Sequence, residues 1–386
     1  MDTKNALPND RGAVLVGRAM RPGVGPAVVC VREGEVWDIT SRAIATMSDL
    51  TETLEAAAVA MQSPGELITT VDELLANSAE DVRDQNRPFL LAPVDLHAIK
   101  ASGVTFVTSL LERVIEEQAA GNAKKASAIR DEIVSVIGTD LSQLTPGSQE
   151  ADALKTVLQE KGVWSQYLEV GIGPDAEIFS KAQPMSAVGH GAFVGLHPIS
   201  QWNNPEPEVV LVVRSDGTTV GATLGNDVNL RDVEGRSALL LGKAKDNNAS
   251  AAIGPFIRLY DEHFGPGDVA NADISLNVTG EDGFVLEGTS SMAQISRSPD
   301  DLVRATLGPH HQYPDGLVLY CGTMFAPVKD RDGPGMGFTH REGDIVRIAN
   351  PKLGALVNRV TLSTKAPPWT FGTRALMRNL AGRQLL

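Results

Sequence analysis

Three acidic residues form the pattern in the sequence that is most able to do chemistry. Glu206 and Glu208 stand two positions apart at the start of the apolar run "VVLVV", and Asp227 follows at the end of another strand-like run, "TTVGATLG". Residues i and i+2 of a strand point to the same face, so the two glutamates predict a pair of like charges beside a buried strand. Such charges repel each other unless a cation offsets them.

A hard divalent cation with oxygen ligands is the natural partner of three carboxylates. All-oxygen ligation favours Mg²⁺, with Mn²⁺ as an alternative, and open coordination positions would allow a keto acid to chelate the metal. The spacing alone also fits a simpler interpretation. In that case Glu206 and Glu208 are solvated residues at a strand edge and Asp227 is a turn residue.

Two further segments carry candidate catalytic groups. Lys243 and Lys245 lie among small residues in "LGKAKDNNASAAIGPF". A lysine near an anionic metal site can orient a substrate or stabilise an enolate, although a surface lysine explains the same pattern. Glu112 lies three residues after Ser109, on the first turns of a predicted helix. A carboxylate at this position commonly interacts favourably with the helix dipole.

The histidines and the glycine-rich stretches do not form a recognisable catalytic motif. His310 and His311 are adjacent in "GPHHQYPDG", a loop-like stretch that suits a substrate contact better than a pair of metal ligands. The stretch "GPGMGFTH" does not join a strand to a helix in the dinucleotide-binding pattern, and no G-x-S-x-G elbow is present.

The composition excludes several classes of protein. The chain has 386 residues, a net charge of −14 and two cysteines far apart in sequence. This charge argues against binding to nucleic acid or to an anionic membrane surface. No segment has the roughly 18 consecutive apolar residues that a membrane helix needs, and the N-terminus lacks the apolar core of a signal peptide. We therefore expect a cytoplasmic metabolic protein with a small-molecule substrate.

The pattern of elements predicts an α+β protein with two units. Short strands and helices alternate over residues 1–92, which we interpret as a small N-terminal α+β domain. Residues 93–386 are predicted to form the catalytic domain, with a helical insertion at about 113–165 and a β-rich remainder.

Five segments together resemble the fumarylacetoacetate hydrolase superfamily over roughly residues 93–350. They occur in the order and at the spacing of that superfamily, and they are "FSK" (Phe179 to Lys181), "NNPEPEVVLVV", "GNDVNLRD", "GKAKDNNASAAIGPF" and "LYCGTMFAP". The chain is most similar to the sugar-acid branch, which includes 2-keto-3-deoxy-D-pentonate (xylonate or arabinonate) dehydratases. The resemblance implies a mixed β-roll catalytic core and a homodimer or homotetramer.

The resemblance also implies roles for particular residues. The superfamily's metal-binding carboxylates correspond to Glu206, Glu208 and Asp227, which makes Mg²⁺ the expected cofactor. Lys245 matches the active-site lysine, although Asp246 replaces the glycine that follows it in the family. Thr323 and Lys181 match residues near the substrate, and Asn226 and His310 are added here as further candidate substrate contacts.

The run "GVTFVTSLLE", from Gly103 to Glu112, decides between two functions. Hydrolytic members resemble G-x-N-Y-x-x-H-x-x-E, in which a histidine and a glutamate activate water. Here Ser109 falls on the histidine, and serine has no group that titrates near neutral pH. The resemblance therefore implies a hydro-lyase that yields 2,5-dioxopentanoate, with Glu112, Lys245 and Ser109 as the candidate catalytic residues. The alternative is a C–C bond hydrolase of a 2,4-diketo-3-deoxy sugar acid or a related diketo acid.

Overall fold

The computed structural model describes residues 1–3, 5–126, 144–160, 162, 164–325, 327 and 329–386. The predicted helical insertion at about 113–165 therefore lies partly outside the described residues.

Eleven strands of the described chain form one open sheet. They are β1 (Leu15–Arg21), β2 (Gly25–Arg32), β3 (Glu35–Asp38), β4 (Glu66–Thr70), β5 (Phe89–Leu90), β6 (Ala98–Gly103), β7 (Glu177–Ala182), β9 (Pro207–Val213), β10 (Thr219–Asp227), β11 (Ala251–Leu259) and β14 (Leu317–Tyr320). The strand order is β4-β3-β2-β1-β11-β10-β9-β14-β6-β7, with β5 beside β1. All neighbours are antiparallel except β6 and β14.

A second sheet of five strands lies against the first. Its strands are β8 (Phe193–Leu196), β12 (Asp273–Thr279), β13 (Val285–Ser291), β15 (Ile345–Asn350) and β16 (Gly354–Leu362), in the order β13-β12-β15-β16-β8. Side chains of β9 and β12, among them Leu211 and Leu276, share one hydrophobic core between the two sheets.

Helices connect and cover the sheets. They are α1 (Met47–Thr51), α2 (Ala56–Gln62), α3 (Val71–Ser78), α4 (Val107–Gln118), α5 (Gln149–Glu160), α6 (Gln166–Ile172), α7 (Arg231–Glu234), α8 (Leu241–Lys245), α9 (Pro266–Ala270), α10 (Pro299–Thr306) and α11 (Thr373–Gly382). Leu110 and Val114, one turn apart on α4, pack in a small core with Leu168 of α6. Among the described residues, no helix combines the length and the apolar character needed to cross a membrane.

The position of strand β9 between two hydrophobic cores explains why its residues Val209 to Val213 are all apolar. Val209 and Leu211 contribute to the core between the sheets, whereas Val210 and Val212 contribute to a core on the opposite face. Both faces of the strand are buried, so the positions from Val209 to Val213 are all apolar. Full burial of each of these side chains stabilises the fold by about 1.5–3 kcal/mol. This stabilisation holds the start of the strand in place, and the glutamates lie there.

The structure confirms the α+β class and the main predicted strands. The division into residues 1–92 and 93–386 stays a prediction. Strand β1 pairs with β11, so strands from both segments contribute to one sheet.

Candidate metal centre and active site

The pairing of β9 with β10 brings the three predicted metal ligands together. Glu208 lies opposite Gly225, and the N–H of Asp227 donates a hydrogen bond of 3.0 Å to the carbonyl of Glu206. One oxygen from each of the three carboxylates lies within 4.8 Å of the others, and all three side chains are buried. The i, i+2 pattern on β9 and the end of the adjacent strand thus produce one cluster of acidic oxygens.

Three cations from separate elements surround this acidic cluster. Lys245, at the end of α8, donates hydrogen bonds to Glu206 and, over 3.1 Å, to Asp227. Lys181 of β7 places its Nζ 2.9 Å from Asp227 Oδ1. Arg113 of α4 donates a hydrogen bond to Glu206. The cations therefore lie around Glu206 and Asp227.

Glu208 has no lysine or arginine of its own among the described ion pairs, and its environment disfavours its charge. Burial, Asp227 and Glu206 raise its pKa well above the usual range of a glutamate. For Glu206, burial acts in the same direction, but Lys245 and Arg113 outweigh it and lower the pKa. The two carboxylates of the E-x-E pair thus have opposite electrostatic environments.

The cluster fits a divalent cation with oxygen ligands. Asp227 Oδ1 is buried and accepts no hydrogen bond of good geometry from the described protein, despite its short distance to Lys181. A cation within reach of the three carboxylates would satisfy that oxygen and offset both the burial and the repulsion that raise the pKa of Glu208. The residues present could hold Mg²⁺ through Glu206, Glu208 and Asp227.

A tight backbone turn after β14 orients Glu208. The N–H of Gly322 donates a 2.7 Å hydrogen bond to Glu208 Oε2. Gly322 has φ of +87°, and a Cβ at this position would lie 2.0 Å from the hydroxyl oxygen of Thr105. Only glycine fits this conformation and this space. The glycine of "CGTM" therefore holds a predicted metal ligand in place.

The acidic cluster lines a pocket of about 360 Å³, which we call the metal pocket. Its remaining described lining consists of Ser102, Gly103, Val104, Ser109, Arg113, Glu177, Phe179, Glu234, Lys245, Gly322 and Thr323. Burial alone would lower the pKa of Lys245, but Asp227 and Glu206 outweigh burial and raise it, so the side chain stays an ammonium.

A second pocket of about 260 Å³ adjoins the metal pocket, and we call it the tail pocket. Ser109, Arg113, Glu206 and Thr323 line both pockets, and the other described residues of the tail pocket are Glu112, Glu116, Asn204, Arg231, Phe325 and Pro327. The two pockets thus share four lining residues beside the acidic cluster, and we call the two pockets together the cleft.

The structure places the motif residues Ser109 and Glu112 in this cleft. The Ser109 hydroxyl donates a 3.0 Å hydrogen bond to the carbonyl of Phe106, within the first turn of α4. Glu112 Oε2 lies 3.4 Å from an Arg231 nitrogen, and Arg231 stacks over the ring of Trp202 at 4.1 Å. No histidine is among the described residues that line either pocket.

The four predicted substrate contacts have different positions. Thr323 lines both pockets. Lys181 is fully buried behind Asp227, and Asn226 accepts a 3.2 Å hydrogen bond from the N–H of Glu206. Neither is among the described residues that line the metal pocket or the tail pocket, and the role of Lys181 and Asn226 as substrate contacts stays a prediction. His310 lies in an exposed turn, also outside the described lining of the two pockets.

Sequence reasoning missed Glu177. Glu177, Phe179 and Lys181 alternate along β7 and therefore share one face, which the quoted "FSK" segment already indicated for the last two. Glu177 pairs with Gly103, where a Cβ would lie 2.0 Å from Glu177 Oε2. Burial and the nearby Glu234 raise the pKa of Glu177 to about 7. This carboxyl group can therefore hold a proton near neutral pH.

Sequence reasoning also missed Arg113. Besides its contact with Glu206, Arg113 lies 2.8 Å from Glu116 and 3.2 Å from Glu234. Its three partners come from α4, α7 and the start of β9. No local pattern identifies such a contact, because it depends on how the helices pack on the sheet.

The chain is similar in sequence to two proteins that are named as sugar-acid dehydratases. The chain is 32% identical over 184 residues to the 2-dehydro-3-deoxy-D-arabinonate dehydratase of Saccharolobus solfataricus, an alignment that covers 48% of this chain and 58% of that protein. It is 27% identical to the probable 2-keto-3-deoxyxylonate dehydratase of Haloferax volcanii, over 86% of this chain and 93% of that protein.

A solved structure shares the fold. It is a 2-keto-3-deoxy-D-arabinonate dehydratase complexed with magnesium and 2,5-dioxopentanoate, with a TM-score of 0.62 and 22% identity, covering 90% of this chain and 99% of that chain. The family model for the C-terminal domain of fumarylacetoacetate (FAA) hydrolase matches residues 153–361, more than half of the chain. The protein therefore belongs to the fumarylacetoacetate hydrolase family.

Proposed function

We propose that the protein catalyses the Mg²⁺-dependent dehydration of a 2-keto-3-deoxy-D-pentonate, derived from xylonate or arabinonate, to 2,5-dioxopentanoate. The observation that best supports this proposal is the set of residues that line the cleft. Three buried carboxylates there can hold a divalent cation, and no histidine is among its described residues. Dehydration needs a metal and a proton transfer but no attacking water. The names of the two dehydratase relatives support the same reaction and substrate class.

Lys245 provides positive charge where the reaction develops negative charge. When bound, the divalent cation polarises the carboxylate and 2-keto oxygens of the substrate and makes the C3 protons more acidic. The Lys245 ammonium lies within hydrogen-bonding distance of two of the acidic ligands and lines the metal pocket. It can therefore neutralise the enolate oxygen that forms as a C3 proton leaves.

Glu112 and Glu177 are the carboxyl groups that move protons in this proposal. Glu112, on the side of the tail pocket, accepts a C3 proton as a carboxylate. Glu177, on the side of the metal pocket, holds a proton near neutral pH and gives it to the departing C4 hydroxyl, which leaves as water. Both groups return to their starting protonation states by exchange with solvent. Loss of the C4 hydroxyl leaves a C3=C4 double bond beside the C5 hydroxymethyl group. A C5 proton then leaves and C3 gains a proton, which gives a C4–C5 enol that tautomerises to the dioxo product.

We further propose a cytoplasmic homodimer or homotetramer that acts in non-phosphorylative pentose degradation and accepts Mn²⁺ in place of Mg²⁺. The proposal for the metal is supported by the all-oxygen donor set of the acidic cluster. Chain association can be measured directly by light scattering on the purified protein.

Product identification tests the reaction. The purified protein is incubated with Mg²⁺ and either 2-keto-3-deoxy-D-pentonates or a 2,4-diketo-3-deoxy sugar acid, and the products are identified by NMR. Formation of 2,5-dioxopentanoate supports dehydration. Faster cleavage of the diketo acid would instead establish C–C hydrolysis, and water would then have to be activated by a group other than a histidine of the described lining.

A further inference from the structure

We propose that Arg113 is a positioning residue that competes with the divalent cation for Glu206, and that Glu116 limits this competition by anchoring Arg113. The inference rests on the metal site of the proposed function and deepens it by naming the groups that regulate metal affinity. It follows from the way Arg113 divides its two terminal nitrogens between partners, from the burial of those partners and from the charge that each group adds beside the acidic cluster.

Both carboxylate oxygens of Glu206 are engaged by cations of the protein itself. Arg113 Nη2 donates a hydrogen bond to Oε1, and Lys245 Nζ donates one to Oε2. By contrast, Glu208 accepts a hydrogen bond from the uncharged N–H of Gly322. A metal ion that binds Glu206 must therefore share a carboxylate oxygen with a positively charged side chain. Like charges at such short range repel each other, so the metal and the side chain compete.

Arg113 contacts Glu206 and its other partners through different nitrogens. Nη2 contacts Glu206, whereas Nη1 lies 2.8 Å from Glu116 Oε2 and 3.2 Å from Glu234 Oε2. Glu116 and Glu234 are both buried, and neither belongs to the acidic cluster that could hold the metal. A buried charge that loses every partner is strongly unfavourable. Because Arg113 keeps two partners, it can give up Glu206 to a metal ion without becoming an unpaired buried charge.

Glu116 is built to hold Arg113 in place. It stands three residues after Arg113 on α4, a spacing that brings the two side chains together on one face of the helix. Its other oxygen, Oε1, accepts a 2.6 Å hydrogen bond from Arg231 Nε. Burial raises the pKa of Glu116, but Arg231 and Arg113 outweigh burial and lower it. The anchor therefore stays negatively charged near neutral pH.

These charges give Arg113 and Glu116 opposite effects on the metal. Without the Arg113 charge, the acidic cluster has one cation fewer, and Lys245 still holds Glu206, so metal binding should strengthen. Without the Glu116 charge, Arg113 has fewer partners and holds Glu206 more firmly, so metal binding should weaken. If the two residues served only to support the fold, breaking either buried ion pair would weaken metal binding.

Calorimetric titration of the metal-free protein with Mg²⁺ at neutral pH, without substrate, tests the proposal. Arg113→Met removes the charge and keeps much of the side-chain length, and this variant should bind Mg²⁺ about tenfold more tightly than wild type. Glu116→Gln removes the charge and keeps the shape, and this variant should bind Mg²⁺ about tenfold more weakly. Opposite changes in the two variants are the result expected from competition.

Lys155 and Glu169 provide matched controls for net charge. They form a 2.6 Å ion pair between α5 and α6, and neither is among the described residues that line the metal pocket or the tail pocket. Lys155→Met and Glu169→Gln change the net charge of the protein by the same amounts as the two test substitutions. Solvent and salt screen partly exposed charges, so both controls should bind Mg²⁺ within about twofold of wild type.

Each test variant can overturn the proposal by itself, so the proposal stays falsifiable if the other variant fails to fold. A folded Arg113→Met variant that binds Mg²⁺ no more tightly than wild type would exclude the competition. A folded Glu116→Gln variant with unchanged or tighter binding would exclude the anchoring role.

These measurements do not depend on turnover. The two opposite changes in a protein that does not dehydrate the sugar acid would refute only the proposed reaction. Dehydration by a protein whose variants lack these changes would refute only the roles of Arg113 and Glu116.

Discussion

Replacing Glu177 by glutamine tests both the electrostatics and the chemistry of the cleft. Burial and Glu234 raise the pKa of Glu177 from 4.5 to about 7 in the folded, metal-free protein. Each pKa unit corresponds to about 1.4 kcal/mol, so ionised Glu177 costs the fold about 3 kcal/mol at most. The side chain is half-buried, and screening by solvent reduces this cost to roughly 2 kcal/mol.

The sign of the pH dependence follows from the direction of the shift. Because the pKa is higher in the folded than in the unfolded protein, the folded state binds the proton more tightly. The free energy of unfolding therefore falls as the pH rises from 4.5 through about 7, and it levels off above that range. Glutamine does not ionise, so Glu177→Gln should be more stable than wild type by roughly 2 kcal/mol at pH 8, with little of this gain at pH 4.5.

The assay is urea unfolding of EDTA-treated protein at pH 4.5 and pH 8. Glu33→Gln, a substitution in an exposed turn, is the control and should give no pH-dependent difference. With Mg²⁺ and substrate, Glu177→Gln should lower kcat by about 10²–10⁴-fold, because glutamine cannot give a proton to the leaving hydroxyl. A stability difference independent of pH would refute the electrostatic argument, and wild-type kcat would refute the assigned role.

Three further predictions concern the metal and the predicted catalytic residues. Exhaustive chelation should abolish dehydration, Mg²⁺ or Mn²⁺ should restore it, and full activity in the metal-free protein would contradict the metal assignment. Lys245→Met should lower kcat by about 10²–10³-fold in a steady-state assay, the effect of losing one oxyanion donor, while Mg²⁺ binding persists; an unchanged kcat would exclude the role. Glu112→Gln should abolish dehydration with Mg²⁺ affinity intact in a calorimetric titration, and retained turnover would remove Glu112 from the mechanism.

The sequence was sufficient for the parts of the site that depend on local periodicity. The apolar run of β9 and the i, i+2 glutamates predicted a strand with two carboxylates on one face. In the structure Glu208 lies in β9 and Glu206 directly precedes it, and their carboxylates lie close together. The same periodicity on β7 could have identified Glu177, since it stands two positions before Phe179. What was lacking was knowledge that β7 pairs with β6 and thereby faces the acidic cluster.

The remaining contacts depend on packing between distant elements. Arg113 belongs to a helix whose amphipathic pattern shows only that one side is buried, and nothing local indicates that the arginine reaches Glu206. Conversely, Asn226 precedes the metal-ligand candidate Asp227, and adjacent strand residues point to opposite faces. The structure accordingly turns Asn226 away from the described lining of both pockets.

The charge of the whole cleft explains why an anionic substrate would need the divalent cation. Seven carboxylates line the two pockets, namely Glu112, Glu116, Glu177, Glu206, Glu208, Asp227 and Glu234. Four cations face them, namely Lys245, Arg113 and Arg231 in the lining and Lys181 behind it. If every group ionised, the described cleft would carry an excess of three negative charges and would repel a sugar acid.

A divalent cation and one proton would together offset these three charges. The proton resides most readily on Glu177, which already holds it near neutral pH, and the cation fits the acidic cluster where Glu208 resists ionisation. Both the bound metal and the protonated carboxyl group are then needed to offset the negative charge of the cleft. Substrate affinity should consequently fall on chelation, and it should also fall with rising pH as Glu177 loses its proton.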